Sequence, residues 1–214
     1  MNEQQRVLIV DDHPLFRKGL AQMLHTIPAF RLVGEAAGGV EGLALARELQ
    51  PDLMLLDLNM RDMSGIDVLR ELRAAQSDTR VVMVTVSDRA ADLVAALQAG
   101  ADGYLLKDME PEAMMLALRD AAAGRIVVSD QLTHLLAAAL RSGGRPHSAA
   151  AAGLTEQELR ILEKIAVGLS NKLIGRELDI AEGTVKVHVK HILRKLELRS
   201  RVEAAVWAVE HLRG

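Results

Sequence analysis

Between residues 6 and 124, short apolar runs alternate with longer stretches of helical pattern, and this alternation restricts the first part of the chain to an α/β fold. The runs lie near 6 to 10, 31 to 35, 53 to 57, 81 to 86 and 103 to 106. Leu53-Met54-Leu55-Leu56 and Val81-Val82-Met83-Val84 are apolar at consecutive positions, which is what a parallel strand covered on both faces requires. The expectation is a doubly wound, five-stranded parallel sheet. In such sheets ligands sit at the carboxyl ends of the strands, where Asp11, Asp12, Asp57, Thr85 and Lys107 fall.

With 214 residues, half of them hydrophobic, the chain is long enough for two packed domains. We divide it into residues 1–125, a linker at 126–153 with a short helix from about Ser129 to Leu140, and a smaller all-α domain at 154–214. The linker carries Arg141-Ser142-Gly143-Gly144-Arg145-Pro146 and then an alanine run. Cysteine is absent, which excludes disulfides and thiolate metal sites. No apolar leader precedes Arg6 and no stretch approaches the roughly 20 apolar residues of a membrane span, so a cytoplasmic protein without membrane attachment is expected.

The two parts differ in charge. Leu154 to Gly214 holds 11 Lys+Arg against 9 Asp+Glu, whereas the preceding part holds 15 against 20. Thr184 to Arg201 concentrates 6 bases against Glu197 alone. An acidic α/β unit followed by a locally basic one fits a cation-binding module joined to a nucleic-acid reader.

The smaller part reads as helix-turn-helix. Thr155 and Glu158 have capping-box spacing, and Leu159, Leu162 and Ile165 give the first helix an apolar stripe. A short helix at Asn171 to Leu178 and a turn at Asp179 to Gly183 precede a long helix starting near Glu182 to Thr184. On that helix Val185, Val189, Ile192 and Leu196 share one stripe, and Lys186, Lys190 and Arg194 share another. Val187 lies on the basic side, where a valine has no packing role and can meet a thymine methyl. His188 and His191 have no acid or cysteine beside them, so a groove-edge or packing role is expected rather than metal ligation.

At the strand ends the chemistry is that of a phosphoacceptor. A carboxylate such as Asp57 can accept a phosphoryl group when a divalent cation neutralises the crowded oxygens, and Mg²⁺ suits paired carboxylates such as Asp11 and Asp12. Lys107 can pair with the phosphoryl oxygens.

Through VLIVDDHP, PDLMLLDLNM, VVMVTVS and ADGYLLKD, the first domain resembles the receiver of two-component response regulators over nearly its whole length. The resemblance implies phosphorylation of Asp57 by a sensor histidine kinase and contact of Lys107 with the phosphate. It also implies Mg²⁺ on Asp11, Asp12, Asp57 and the backbone carbonyl of Asn59, with Thr85 and Tyr104 at the switch positions. There the added charge, roughly −1.5 to −2, can draw the Thr85 hydroxyl towards it and open space for the Tyr104 ring. Enzymatic activity is then confined to self-phosphorylation and dephosphorylation. One departure stands out: the family usually places proline four residues after the acceptor, whereas this chain has Arg61 followed by Asp62. The loop loses a fixed φ and gains two charges, which puts phosphoaspartate lifetime in question.

The stretch from LTEQELRI to SRVEA resembles the LuxR-type helix-turn-helix, and the two domains together resemble the NarL/FixJ family. Within it, TVKVHVKH, SRVEAAVW and GADGYLLKDMEPE are similar to the nitrate/nitrite-responsive members, which implies respiratory target genes. The resemblance puts Lys186, Val187 and Lys190 on bases of double-stranded promoter DNA and Lys172, Arg194 and Arg199 on phosphates. It further implies occlusion of the reading helix until phosphorylation, a homodimer on DNA and contact with the transcription machinery. Gly175 and Ala181 depart from the usual alanine and serine at an expected cost of roughly 1 kcal/mol each, with Asp179 a partial substitute for the missing cap. The alternatives are the same architecture serving another signal, or a phosphatase or phosphotransferase of the haloacid-dehalogenase type. The latter needs an acid where this chain has Asn59.

Overall fold

The computed structural model describes residues 4–123, 125, 127–129, 132, 152–198 and 200–212. The first part alternates β1 (Gln5–Val10), α1 (Pro14–His25), β2 (Phe30–Ala36), α2 (Gly39–Leu49), β3 (Leu53–Leu56) and α3 (Gly65–Ala74). It continues with β4 (Arg80–Thr85), α4 (Ala90–Gln98), β5 (Gly103–Leu106), α5 (Pro111–Ala122) and β6 (Val127–Val128). All strand pairs are parallel, in the order β2-β1-β3-β4-β5-β6.

Five strands were expected, and the described residues form six. Val127 and Val128 pair with Gly103 and Tyr104, and the Ser129 hydroxyl accepts from the Leu106 amide, which prolongs the edge by one contact. A two-residue strand has no periodicity to announce it.

The consecutive apolar positions are buried on both faces, as the parallel reading requires. Leu8, Val10, Met54, Leu56, Val81 and Met83 pack towards α2, α3 and α4, and Val7, Ile9, Leu53, Leu55, Val82 and Val84 towards α1 and α5. Strand order reverses between β1 and β3, so the crevice at the carboxyl end of the sheet opens between the segments carrying Asp11 and Asp57.

The second part contains α6 (Glu156–Ala166), α7 (Asn171–Leu178), α8 (Glu182–Lys195) and α9 (Arg201–Leu212). Its core joins Ile161, Leu162, Ile165, Ile174, Val185, Val189, Ile192, Leu196 and Trp207. The α6 stripe is centred one residue from the expected position, on Ile161 beside Leu162 and Ile165, with Leu159 half-buried. The capping box is formed: the Thr155 hydroxyl accepts from the Glu158 amide, and Glu158 accepts from the Thr155 amide at 2.8 Å.

Two expectations about the turn are corrected. Asp179 does not cap α8; it ends α7 in the left-handed conformation at φ 54°, and Ala181 caps α8 without a side-chain bond. Gly175 is not a simple loss of helix propensity, because a Cβ there would lie 2.7 Å from the Ile180 carbonyl oxygen. The tight α7–α8 turn needs the missing methyl.

The two parts touch. Val202 of α9 is buried within the apolar cluster on the α2–α4 side of the sheet, and Val206 packs against that cluster. Residues 133–151, most of the expected linker and its helix, lie outside the described residues. Among the described residues no helix is long and apolar enough to cross a membrane.

Candidate functional site

Backbone pairing sets the acidic cluster in place. The amide of Asp57 donates to the Val10 carbonyl at 2.8 Å and that of Lys107 to the Thr85 carbonyl at 2.8 Å, so each residue continues its strand by one position. Their side chains therefore leave the same sheet edge together. Lys107 Nζ lies 2.8 Å from Asp11 Oδ2 and 2.9 Å from Asp57 Oδ2, bridging the two carboxylates. The Phe16 ring, 4.9 Å from the same nitrogen, covers the ammonium on one side.

Both carboxylates are almost wholly buried, at 2% exposure for Asp11 and Asp57 alike. Burial pushes the Asp57 carboxyl above its usual range; Lys107 pulls against that rise and the Asp11 charge adds to it. Asp11, Asp12, His13 and Asp57 present ligand atoms within 4.8 Å of one another. Asp12 Oδ1 and Asp57 Oδ2 accept no hydrogen bond of regular geometry; His13 Nδ1 lies 2.9 Å from the first and Lys107 Nζ 2.9 Å from the second. Hard oxygens gathered in a buried, under-satisfied group fit a divalent cation such as Mg²⁺. The expected residues are thus brought together, and the Asn59 amide donates to Asp57 Oδ1 at 3.4 Å, placing Asn59 beside the acceptor.

Sequence reasoning missed His13 as a member of this cluster, although it adjoins Asp11 and Asp12 in the DDHP motif. Arg17 went unnoticed too: it donates to the Asp11 carbonyl and lies 3.6 Å from Glu35, tying α1 to the end of β1.

Thr85 is fully buried, and its Oγ1 accepts from the Ser87 amide at 3.2 Å. Tyr104 is also fully buried, and its hydroxyl donates to the Ser87 carbonyl at 3.0 Å. The ring expected to enter space vacated by Thr85 already lies inside. Both candidate switch residues therefore hold the same loop residue, Ser87, Thr85 through its amide and Tyr104 through its carbonyl. Burial raises the Tyr104 hydroxyl to about 12, so it remains a donor at physiological pH.

On α8 the two stripes separate as expected. Val185, Val189 and Ile192 are buried, while Lys186, Val187, Lys190 and Arg194 are exposed, with Val187 at 54%. Lys172 on α7 is exposed as well, and Arg199 lies outside the described residues. Not every base between Thr184 and Arg201 is available: Lys195 binds Glu158 at 2.7 Å and the Gly153 carbonyl, and Arg201 binds Asn171 and the Leu169 carbonyl. Lys186 is engaged across the two parts, 2.7 Å from Asp78 in the α3–β4 connection. His188 and His191 do not join the cation-ligand cluster.

The chain matches the family model for the response regulator receiver domain over residues 7–119 and that for bacterial regulatory proteins of the luxR family over residues 152–208. It is 51% identical over 205 residues to the nitrate/nitrite response regulator protein NarL of Escherichia coli K12, covering 96% of this chain and 95% of that protein. The nitrate/nitrite response regulator protein NarP of the same organism is 45% identical over 203 residues, covering 94% and 93%. Among solved structures, the signal receiver domain of a putative response regulator NarL from Mycobacterium tuberculosis superposes with a TM-score of 0.55 at 40% identity, covering 57% of this chain and 99% of that one.

Proposed function

Since the chain belongs to the two-component response regulators that join a receiver to a LuxR-type DNA-binding domain, we propose that Asp57 is its phosphoacceptor and that phosphorylation frees α8 to bind promoter DNA. In this reading residues 1–125 form the receiver, 126–153 the linker and 154–214 the DNA-binding domain. A sensor histidine kinase supplies the phosphoryl group: the P–N bond of its phosphohistidine breaks as a P–O bond forms to an Asp57 oxygen. Asp11, Asp12, Asp57 and the Asn59 carbonyl would hold Mg²⁺, which would supply positive charge against the transferring oxygens. Lys107, already 2.9 Å from Asp57 Oδ2, exchanges its carboxylate contact for a phosphoryl oxygen. Hydrolysis at the same site resets the protein.

The observation that carries the regulatory reading is the ion pair of Lys186 with Asp78. An ammonium held by a receiver carboxylate is not free for a base edge, so this closed arrangement and DNA binding compete. Relief runs through Thr85 and Ser87: a new charge at Asp57 draws the Thr85 hydroxyl away from the Ser87 amide, and the β4–α4 loop shifts with it. The reading set is Lys186, Val187 and Lys190 on bases, with Lys172, Arg194 and Arg199 on phosphates. The freed domains pair as a homodimer on half-sites and act on the transcription machinery in the cytoplasm. Likeness to NarL and NarP supports nitrate- or nitrite-responsive genes as targets.

The test is promoter-fragment binding with and without a small-molecule phosphodonor and Mg²⁺. Wild type should bind more tightly when phosphorylated, and Asp57→Asn should not respond. Equal binding by both proteins under both conditions would remove the switch.

A further inference from the structure

The acceptor loop of this chain runs from Leu58 to Ser64 between β3 and α3. It is pinned where it leaves, since the Gly65 amide donates to the Leu58 carbonyl at 2.9 Å and the Ser64 hydroxyl caps α3. Its middle carries Arg61, 95% exposed at the side chain, in place of a proline that would have fixed φ. On sequence grounds the loop is expected to be loose there. The geometry is otherwise.

Asp62 accepts three backbone hydrogen bonds. Its Oδ1 takes the amides of Gly39 and Met63, each at 2.9 Å, and its Oδ2 takes the amide of Val40 at 3.0 Å. Gly39 and Val40 are the first two residues of α2, whose own N-cap, Gly38, has no side chain to offer. The first turn of a helix presents unsatisfied amides and a partial positive charge, and a carboxylate there is stabilised on both counts. Accordingly the Asp62 carboxyl is held below its usual range, first by the Val40 amide and then by that of Gly39. Gly38 completes the fit: a Cβ there would lie 2.6 Å from Asp62 Oδ2. The loop and the helix are thus cut to one another, and Arg61 is left with its Nε 3.7 Å from Asp12 Oδ2.

We propose that Asp62 is a positioning residue for the phosphoacceptor site: by capping α2 from the neighbouring loop it holds the segment carrying the Asn59 carbonyl against Asp57, replacing the rigidity that proline would give. The inference rests on the reading of Asp57 and the Mg²⁺ site given above. Asp62 acts through the loop and touches neither metal nor phosphate. Its removal therefore weakens Mg²⁺ binding and alters phosphoaspartate lifetime while leaving the acceptor in place.

The experiment measures Mg²⁺ affinity by calorimetry, and phosphoaspartate lifetime by phosphate-affinity electrophoresis, on the full chain. Asp62→Ala should weaken Mg²⁺ on the order of 10-fold, as loss of an outer partner of a metal site does. Two compensated variants separate positioning from helix stability. Gly38→Ser with Asp62→Gly returns a cap to α2 but leaves the loop untied, and should stay weak. Arg61→Pro with Asp62→Gly restores loop stiffness without the cap, and should recover Mg²⁺ affinity to within about twofold of wild type. If Asp62→Ala binds Mg²⁺ like wild type, or if Gly38→Ser with Asp62→Gly recovers in full, the positioning role is overturned while the site itself stands. Should wild type bind no Mg²⁺, the reading of the acceptor site falls first and this inference with it.

Discussion

Lys186 Nζ on α8 lies 2.7 Å from Asp78 Oδ1, so a residue on the face expected to read DNA is held by the acidic domain 108 positions away in sequence. The contact raises the Lys186 pKa, through the hydrogen bond to Asp78 before any other cause, which keeps the ammonium charged and committed to its partner. Val202 anchors the same arrangement in the apolar cluster of the sheet.

The size of that restraint is bounded by solvent. The side chains are 45% and 85% exposed, and exposed pairs contribute about 1 kcal/mol or less. Asp78→Ala should therefore raise promoter affinity of the unphosphorylated protein by about 5-fold at most, with little change once phosphorylated. Fluorescence anisotropy on labelled promoter DNA measures both. A larger effect would mean that Asp78 holds more than Lys186.

The stability of the receiver should depend on pH through Asp57. Its carboxyl is raised by burial, so the folded state binds this proton more readily than the unfolded chain. For a raised carboxyl, stability is greatest below the unfolded value and is lost as pH rises through the window up to the folded value. Asp57→Asn removes that loss. Its thermal midpoint should exceed that of wild type at neutral pH in the absence of divalent cations, and the gap should close on acidification.

Gly175→Ala tests the corrected turn. Helix propensity alone predicts a gain of about 1 kcal/mol, whereas a Cβ 2.7 Å from the Ile180 carbonyl predicts a loss. Chemical denaturation of the full chain followed by the fluorescence of Trp207, in the core of the smaller domain, decides the sign.

Thr155→Ala should cost about 1 kcal/mol or more in the same assay. The Thr155 side chain caps α6 and also donates to Glu158, the buried carboxylate that binds Lys195. Glu158 would keep Lys195 and lose one of its donors.

On DNA, Lys190→Ala and Arg194→Ala separate the two contact classes. Arg194→Ala should weaken binding evenly across sequences and reduce the salt slope by about 1, as loss of a phosphate contact does. Lys190→Ala should relax preference at one base position, at a cost of about 1–3 kcal/mol. Selection from random fragments with each variant reads both outcomes. Lys195→Ala, by contrast, should act on folding, because Lys195 belongs to the Glu158 network.

Periodicity and local chemistry determined much of this protein from sequence alone. The runs ending at Val10, Leu56 and Leu106 read as covered strands, because short runs apolar at consecutive positions between helical stretches fit parallel strands buried on both faces. Asp11, Asp57 and Lys107 followed from those ends, the Thr155 capping box from a spacing of three, and the packed and basic faces of α8 from a period of 3.6. Each of these signals is carried within one element. What the tertiary structure alone decided joins elements that no local pattern relates: Asp62 on the first turn of α2, Asp78 on Lys186, Phe16 over Lys107, and β6 on the edge of β5. The physical reason is the same for all four. A hydrogen bond, an ion pair or a ring contact depends on the distance between two side chains or strands, and across tens of residues that distance is set by strand order and helix packing.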